Sequence, residues 1–109
     1  MSVTLQQNES ELKILWSLEH QAAEDVAGFL KIANLKRESS LEQCSFYFLG
    51  EKEISTFLWR ALLESLKVIL DRKIKMRFIV NSKTMEAILR KLGFSLLGEV
   101  LLEVESPLK

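Results

Sequence analysis

Residues 46–70 hold the feature that most constrains the fold, a change of hydrophobic period within one short stretch, FYFLGEKEISTFLWRALLESLKVIL. The stretch begins as a strand that is apolar on both faces, which is typical of the centre of a sheet, and this strand ends before Gly50. From Ser55 onward apolar residues recur about every 3.6 positions, which predicts an amphipathic helix that ends near Arg72. A helix that follows a buried strand so closely indicates an α/β protein.

The rest of the chain contains the other elements of such a fold. Alternating apolar residues predict strands at 3–7, 12–18, 75–80 and 96–105, and the strand that is apolar on both faces spans 43–49. Helical periodicity predicts two further helices, at 22–36 and 83–92; the second is capped by Asn81-Ser82 and stopped by Gly93. The order β-β-α-β-α-β-α-β predicts a single α/β domain over 1–109. Its mixed, largely parallel sheet has about five strands, an antiparallel edge hairpin and three main helices.

Periodicity also predicts which side chains of each helix face the core. In the first helix the acidic residues Glu24 and Asp25 are expected to point outward. The outer face of the long helix carries Arg60 and Glu64, and Phe57 lies on the same side. An exposed Phe57 would anchor a partner protein; the alternative is that its ring folds under the preceding loop. The predicted inner face of the long helix consists of Leu58, Trp59, Leu62, Leu63, Leu66, Ile69 and Leu70.

Composition and charge argue against several classes of function. Fifteen basic and fifteen acidic residues cancel, which argues against a nucleic-acid-binding surface. No apolar run is long enough for a membrane span and no leader peptide is visible, so a soluble cytosolic protein without membrane insertion is expected. Cys44, the single cysteine, is expected to be a buried thiol, and His20, the single histidine, has no ligand-spaced partners. No metal site, cofactor or catalytic residue is predicted.

Ser55 and Thr56 stand where the long helix begins, and a hydroxyl group at that place has two alternative roles. It can cap backbone N–H groups of the first turn, or it can carry a phosphate that the helix dipole stabilises. Glu51 and Glu53 would repel a phosphate, and Lys52 offsets only part of that repulsion. Capping is therefore the favoured interpretation.

The element order, the length and the junction together resemble the STAS domain, the small α/β module of anti-sigma-factor antagonists. Aligned without gaps, Gly50 falls on the glycine of that family's strand-end turn, and Ile54 falls on the apolar residue before its Asp-Ser-Ser-Gly-like motif. Residues 61–63, Ala-Leu-Leu, fall on the Ala-Leu-Leu of the helix that follows. The resemblance places Thr56 at the position that members of the family phosphorylate.

The motif departs from that family at three positions. Ser55 stands in place of the usual aspartate, and Phe57 and Leu58 stand in place of serine and glycine, which argues against a working phosphorylation switch. Some members lack the switch and act as docking subunits. The resemblance therefore implies a non-catalytic signalling module that binds an anti-sigma-factor-type serine kinase or an ATPase subunit of a transport system, with a homodimer left open. The partner-binding residues on this interpretation are Glu51, Lys52, Glu53, Phe57, Arg60 and Glu64.

Residues 81–94, NSKTMEAILRKLGF, also resemble the C-terminal signature of GNAT acetyltransferases, an asparagine followed by a helix that ends in Leu-Gly-Phe. This second resemblance implies coenzyme A bound on a glycine-rich turn before the central helix. The matching turn, residues 50–56, has one glycine and two carboxylates, which would repel a pyrophosphate. Leu89 stands where that family usually has a tyrosine acid. An active enzyme is therefore not expected, and a degenerate acetyltransferase fold is the alternative.

Overall fold

The predicted strands form one mixed sheet. The computed structural model describes residues 3–8, 10–29, 42–70 and 74–103. Three helices connect the parallel strands: α1, which is helical from 25 to 29 in the described part, α2 (Thr56–Leu70) and α3 (Lys83–Lys91). The strands lie side by side in chain order as β1 (Val3–Gln7), β2 (Glu11–Ser17), β3 (Gln43–Leu49), β4 (Lys75–Val80) and β5 (Glu99–Leu102). β1 is antiparallel to β2, and β2 to β5 are parallel, which confirms the predicted α/β class.

The described helices pack on one face of the sheet. Each parallel connection moves one strand further in the same direction, and because such connections share one hand, they place successive helices on the same side. The main core cluster accordingly joins alternate sheet residues to buried residues of every helix. It includes Trp16, Phe46, Phe48 and Phe78 from the sheet, Phe29 from α1, Leu62 from α2 and Met85 from α3.

Trp16 lies at the centre of this core. Its ring is fully buried and contacts Phe29, Phe46 and Phe48 at centroid distances of 5.0, 6.3 and 6.1 Å. The pairs with Phe29 and Phe46 are edge-to-face, an arrangement in which each pair contributes about 0.5–1.5 kcal/mol beyond the area that it buries. The prediction that Cys44 is a buried thiol is confirmed.

The opposite face of the sheet carries an apolar row that runs across the parallel strands. Leu15, Tyr47, Ile79 and Leu101 are direct neighbours in the strand register, and the first three are buried. Alternating apolar residues are typical of a strand with one buried face, but Leu15 shows that the second face of β2 is also buried in part. The helices therefore cover one face of the sheet, and the apolar row lies on the opposite face.

Tyr47 is the titratable side chain of that row. Burial raises the pKa of its hydroxyl group above the ordinary value of 10.0, and the negative charges of Glu103 and Glu11 raise this pKa further. The positive charge of Arg77 lowers the same pKa and offsets part of the rise. The folded state therefore favours the neutral phenol.

The prediction that Asp25 points to solvent is wrong. Its side chain is fully buried, and Oδ2 accepts hydrogen bonds from Trp16 Nε1 at 3.0 Å and from the backbone N–H of Ala22 at 2.9 Å. The second bond reaches back across the first turn, as in a capping box. The first satisfies an indole N–H that would otherwise be buried without an acceptor, and this requirement turns the acidic residue inward.

One residue of α2 also differs from the prediction. Leu63, assigned to the inner face, is 39% exposed. It lies at the margin of the buried arc formed by Leu58, Leu62 and Leu66, so part of its side chain stays exposed to solvent. The predicted end of this helix near Arg72 and the side chains of Ile69 and Leu70 lie outside the described residues.

The last strand is shorter than predicted at its start. Gly93 has φ of 90° and follows α3 in the expected C-terminal position, but the chain then forms a 3-10 turn, Phe94–Leu96, which buries Phe94. The strand therefore begins at Glu99 instead of Leu96. The predicted continuation of this strand to 105 and of α1 to 36 falls outside the described residues.

Candidate functional site

The junction between β3 and α2 lies at the carboxyl edge of the sheet and opens with a sharp turn at Gly50. This glycine has φ of 113°, a backbone conformation that residues with a side chain rarely adopt. A Cβ atom there would also approach Glu19 Oε1 to 2.9 Å. The local sequence therefore needs glycine at the end of β3 for the backbone angle, whereas the flexible Glu19 side chain could move away from an added Cβ atom.

The next strand fixes the start of this loop. Asn81, which follows β4, accepts the backbone N–H of Gly50 on its Oδ1 atom at 2.9 Å. The sequence predicted Asn81 and Ser82 together as the cap of α3, and this prediction is correct only for Ser82, whose Oγ accepts the N–H of Met85 at 3.3 Å. The asparagine instead links the ends of two neighbouring parallel strands.

The preceding strand fixes the rest of the loop through the 3-10 turn that follows β2. Gln21 Nε2 donates to the carbonyl oxygen of Glu53 at 2.9 Å and to that of Leu18 at 3.0 Å. Glu19 Oε1 accepts the backbone N–H of Glu51 at 3.3 Å. Residues 50–55, which we call the docking loop, are thus bonded to elements on both sides.

The two hydroxyl groups at the start of α2 have different environments. Ser55 Oγ accepts the N–H of Leu58 at 3.3 Å, and the Ser55 carbonyl oxygen accepts the N–H of Trp59 at 3.0 Å, so this serine caps the helix. Thr56 is the first helical residue and is exposed. Ser55 is exposed as well, so the two residues differ in that the Ser55 hydroxyl group is used as the cap of the helix.

Phe57 stands at the edge of a groove beside the docking loop. Its side chain is 61% exposed, so the alternative in which the ring folds under the loop does not hold. The groove has a volume of about 500 Å³ and lies between residues 21–23 on one side and residues 52–58 on the other. Ile54, which also lines the groove, is buried and belongs to the main core.

A second groove of about 520 Å³ lies along the outer side of α2. Thr56 borders both grooves, which makes the surface continuous. Leu63 and the half-buried Trp59, both assigned to the inner face from the sequence, contribute apolar surface here. The lining of the second groove is completed by Arg60, Glu64 and Lys67. We call the surface of the two grooves together the junction surface.

All six residues predicted to bind a partner are exposed, namely Glu51, Lys52, Glu53, Phe57, Arg60 and Glu64. Sequence reasoning missed Gln21, which lines the first groove, and the link from Asn81 to the docking loop. The signal for both was positional. Each amide side chain closely follows a predicted parallel strand, and the carboxyl ends of parallel strands meet at one edge of the sheet.

The described residues contain neither a cluster of metal ligands nor a helix that could span a membrane. His20 is exposed at the end of the 3-10 turn Leu18–His20. Within residues 3–8, 10–29, 42–70 and 74–103, no three His, Cys, Asp or Glu side chains are grouped so that they could hold a metal ion. None of the helices in these ranges combines the length and apolar character needed to cross a bilayer.

Comparison of the chain with protein-family models, with curated proteins and with solved structures finds no match. The two family resemblances therefore rest on the residues and on the element order alone.

Proposed function

We propose that the chain is a non-catalytic regulatory module of the cytosol that binds a partner protein through the junction surface. The observation that carries this proposal is the position of Phe57, a mostly exposed aromatic ring beside a groove, on a helix whose first turn is capped by Ser55. Exposed aromatic residues dominate the energetics of many protein interfaces because they bury a large apolar area with few rotatable bonds.

The element order supports the proposed kind of partner. It matches the order implied by the resemblance to STAS domains, and the exposed Thr56 occupies the position that the resemblance assigns to the phosphorylated residue. On this basis the partner is an anti-sigma-factor-type serine kinase or, for members without a switch, an ATPase subunit of a transport system. Because Ser55 already serves as the cap, Thr56 is the residue on which such a kinase would act.

The pairing of the strands supports the non-catalytic proposal over the acetyltransferase alternative. An acetyltransferase of that kind would hold a nucleotide thiol where two strands splay apart. β3 and β4 instead stay paired along their length, from the pair Gln43–Lys75 to the pair Phe48–Val80, which lies next to the turn at residues 50–56. Calorimetry with acetyl-coenzyme A is expected to show no heat of binding, and micromolar binding would favour the acetyltransferase.

Site-specific photo-cross-linking in the native host tests the docking proposal. A benzophenone amino acid at Phe57 is expected to give a covalent adduct with one partner, which mass spectrometry would identify. The matched control is the same amino acid at Leu96, which is 88% exposed and lines neither groove. Absence of an adduct at Phe57, or the same adducts from both positions, would contradict the proposal. Tandem mass spectrometry of peptides from the recovered chain would also show whether Thr56 carries a phosphate.

A further inference from the structure

We propose that Gln21 and Asn81 are positioning residues of the junction surface, which hold the docking loop in the shape that the partner binds. This inference rests on the proposed function, because it assigns the two side chains a role in binding without contact to the partner. Neither residue belongs to the loop itself. One follows β2 and the other follows β4, so the loop after β3 is held from both sides.

Gln21 joins the two walls of the first groove by a hydrogen bond. It belongs to the wall of the groove formed by residues 21–23, and its Nε2 atom donates a hydrogen bond to the carbonyl oxygen of Glu53 in the opposite wall at 2.9 Å. The same Nε2 atom donates to the carbonyl oxygen of Leu18, a fully buried residue, at 3.0 Å. The Gln21 amide group therefore ties the two walls of the groove to a buried core residue, next to the bond that Glu19 makes with the backbone of Glu51.

Asn81 fixes the other end of the docking loop. Gly50 can adopt many backbone conformations, and a glycine at a loop start would leave the following residues free to take several paths. The bond from its N–H to Asn81 Oδ1 at 2.9 Å selects one of them. The path so selected leads to Ser55, which then caps α2 and sets the direction of Phe57.

The expected size of the effect follows from preorganisation. A loop that is already in its bound shape does not lose conformational entropy on binding, whereas a released loop must be ordered at that step. One intramolecular hydrogen bond contributes about 0.5–1.5 kcal/mol, which corresponds to a roughly three- to tenfold change in an equilibrium constant. Loss of either bond should therefore weaken partner binding by about three- to tenfold.

Two pairs of variants test the inference. Gln21→Met removes the donor at nearly constant length, and Gln6→Met makes the same change at an exposed position of β1. Asn81→Leu removes the acceptor for the Gly50 N–H, whereas Asn81→Asp keeps an acceptor oxygen and should restore the bond. The first measurement is amide hydrogen exchange on the purified chain without a partner. The second is the Kd for the purified protein that cross-links at Phe57.

The inference predicts a local change. In Gln21→Met and Asn81→Leu, exchange should be about three- to tenfold faster in residues 50–55 and unchanged in β3 and β4, and Kd should rise by the same factor. Gln6→Met and Asn81→Asp should resemble the unmodified chain in both measurements. A purely structural role would instead speed exchange throughout the sheet and leave the affinity of the folded molecules unchanged.

Unchanged exchange in the docking loop would overturn the inference whether or not a partner binds at Phe57. Faster loop exchange with an unchanged Kd would also overturn it, because the loop would then be flexible in the variants without any effect on binding. If no partner cross-links at Phe57, the proposed function fails, and the exchange measurement still shows separately whether the two amides hold the loop.

Discussion

The replacement of Asp25 by alanine should destabilise the fold strongly, although an acidic residue in the first turn of a helix would ordinarily be replaceable. Its carboxylate accepts two hydrogen bonds, from Trp16 Nε1 at 3.0 Å and from the Ala22 N–H at 2.9 Å, and the indole is fully buried. Hydrogen bonds to charged groups contribute about 1.5–3 kcal/mol each, and removal of the acceptor leaves a buried donor without a partner.

The net effect is smaller than the sum of these two bonds. Water can reach the half-buried Ala22 once the carboxylate is gone, and alanine avoids the cost of burying a polar side chain. We therefore expect Asp25→Ala to lower the free energy of unfolding by about 3 kcal/mol, which for a domain of this size lowers Tm by roughly 15 °C. Asp25→Asn, which keeps one acceptor oxygen, should lose about 1 kcal/mol.

Urea unfolding followed by tryptophan fluorescence measures these differences, provided that the m-value is unchanged. Glu24→Ala is the matched control, because Glu24 is the exposed acidic neighbour and its loss should change stability by less than about 0.5 kcal/mol. If Asp25→Ala were no more destabilising than Glu24→Ala, the buried carboxylate would not support the core in the way argued above.

Two further predictions concern the helix cap and the alkaline stability. Ser55→Ala should lower the free energy of unfolding by about 1 kcal/mol through loss of the cap, whereas Thr56→Ala should be nearly neutral; equal effects in urea unfolding would contradict the assignment of Ser55 as the cap. Because the folded pKa of Tyr47 is raised above 10.0, the stability from its neutral form is complete below that pH and is lost as the pH rises through the folded pKa. Its absorbance at 295 nm, from the only tyrosine, should therefore titrate above pH 10.0, and Tyr47→Phe should reduce the alkaline loss of stability; an ordinary titration midpoint would refute this.

The periodicity of the sequence predicted most of the fold because each strand and helix has a distinct apolar pattern. The bounds of β1, β3 and β4 agree with the predictions at both ends. The predictions for Leu63 and for the start of the last strand were wrong, because both features depend on how far a neighbouring surface extends. A hydrophobic pattern records which residues are apolar, but it does not record the exact width of the surface that covers them.

The contacts that shape the candidate site could not be predicted in the same way. Asp25 turns inward because folding brings the indole of Trp16 to it, and charge patterning alone favours the opposite orientation. Gln21 and Asn81 reach the docking loop only because parallel pairing aligns the ends of β2, β3 and β4. The exposure of Phe57 depends on how the loop packs, and the two alternatives were equal on sequence grounds.

The most direct test of the docking proposal is the affinity of Phe57→Ala for the partner that cross-links at this position, measured per folded molecule. Because the ring is 61% exposed, its removal should leave Tm within about 2 °C of the unmodified chain, as should the control Leu96→Ala. We expect Phe57→Ala to weaken binding about 30-fold, equivalent to roughly 2 kcal/mol, and Leu96→Ala to leave Kd unchanged. A Tm lowered by several degrees together with an unchanged Kd would show that Phe57 is a structural residue and would contradict the proposal.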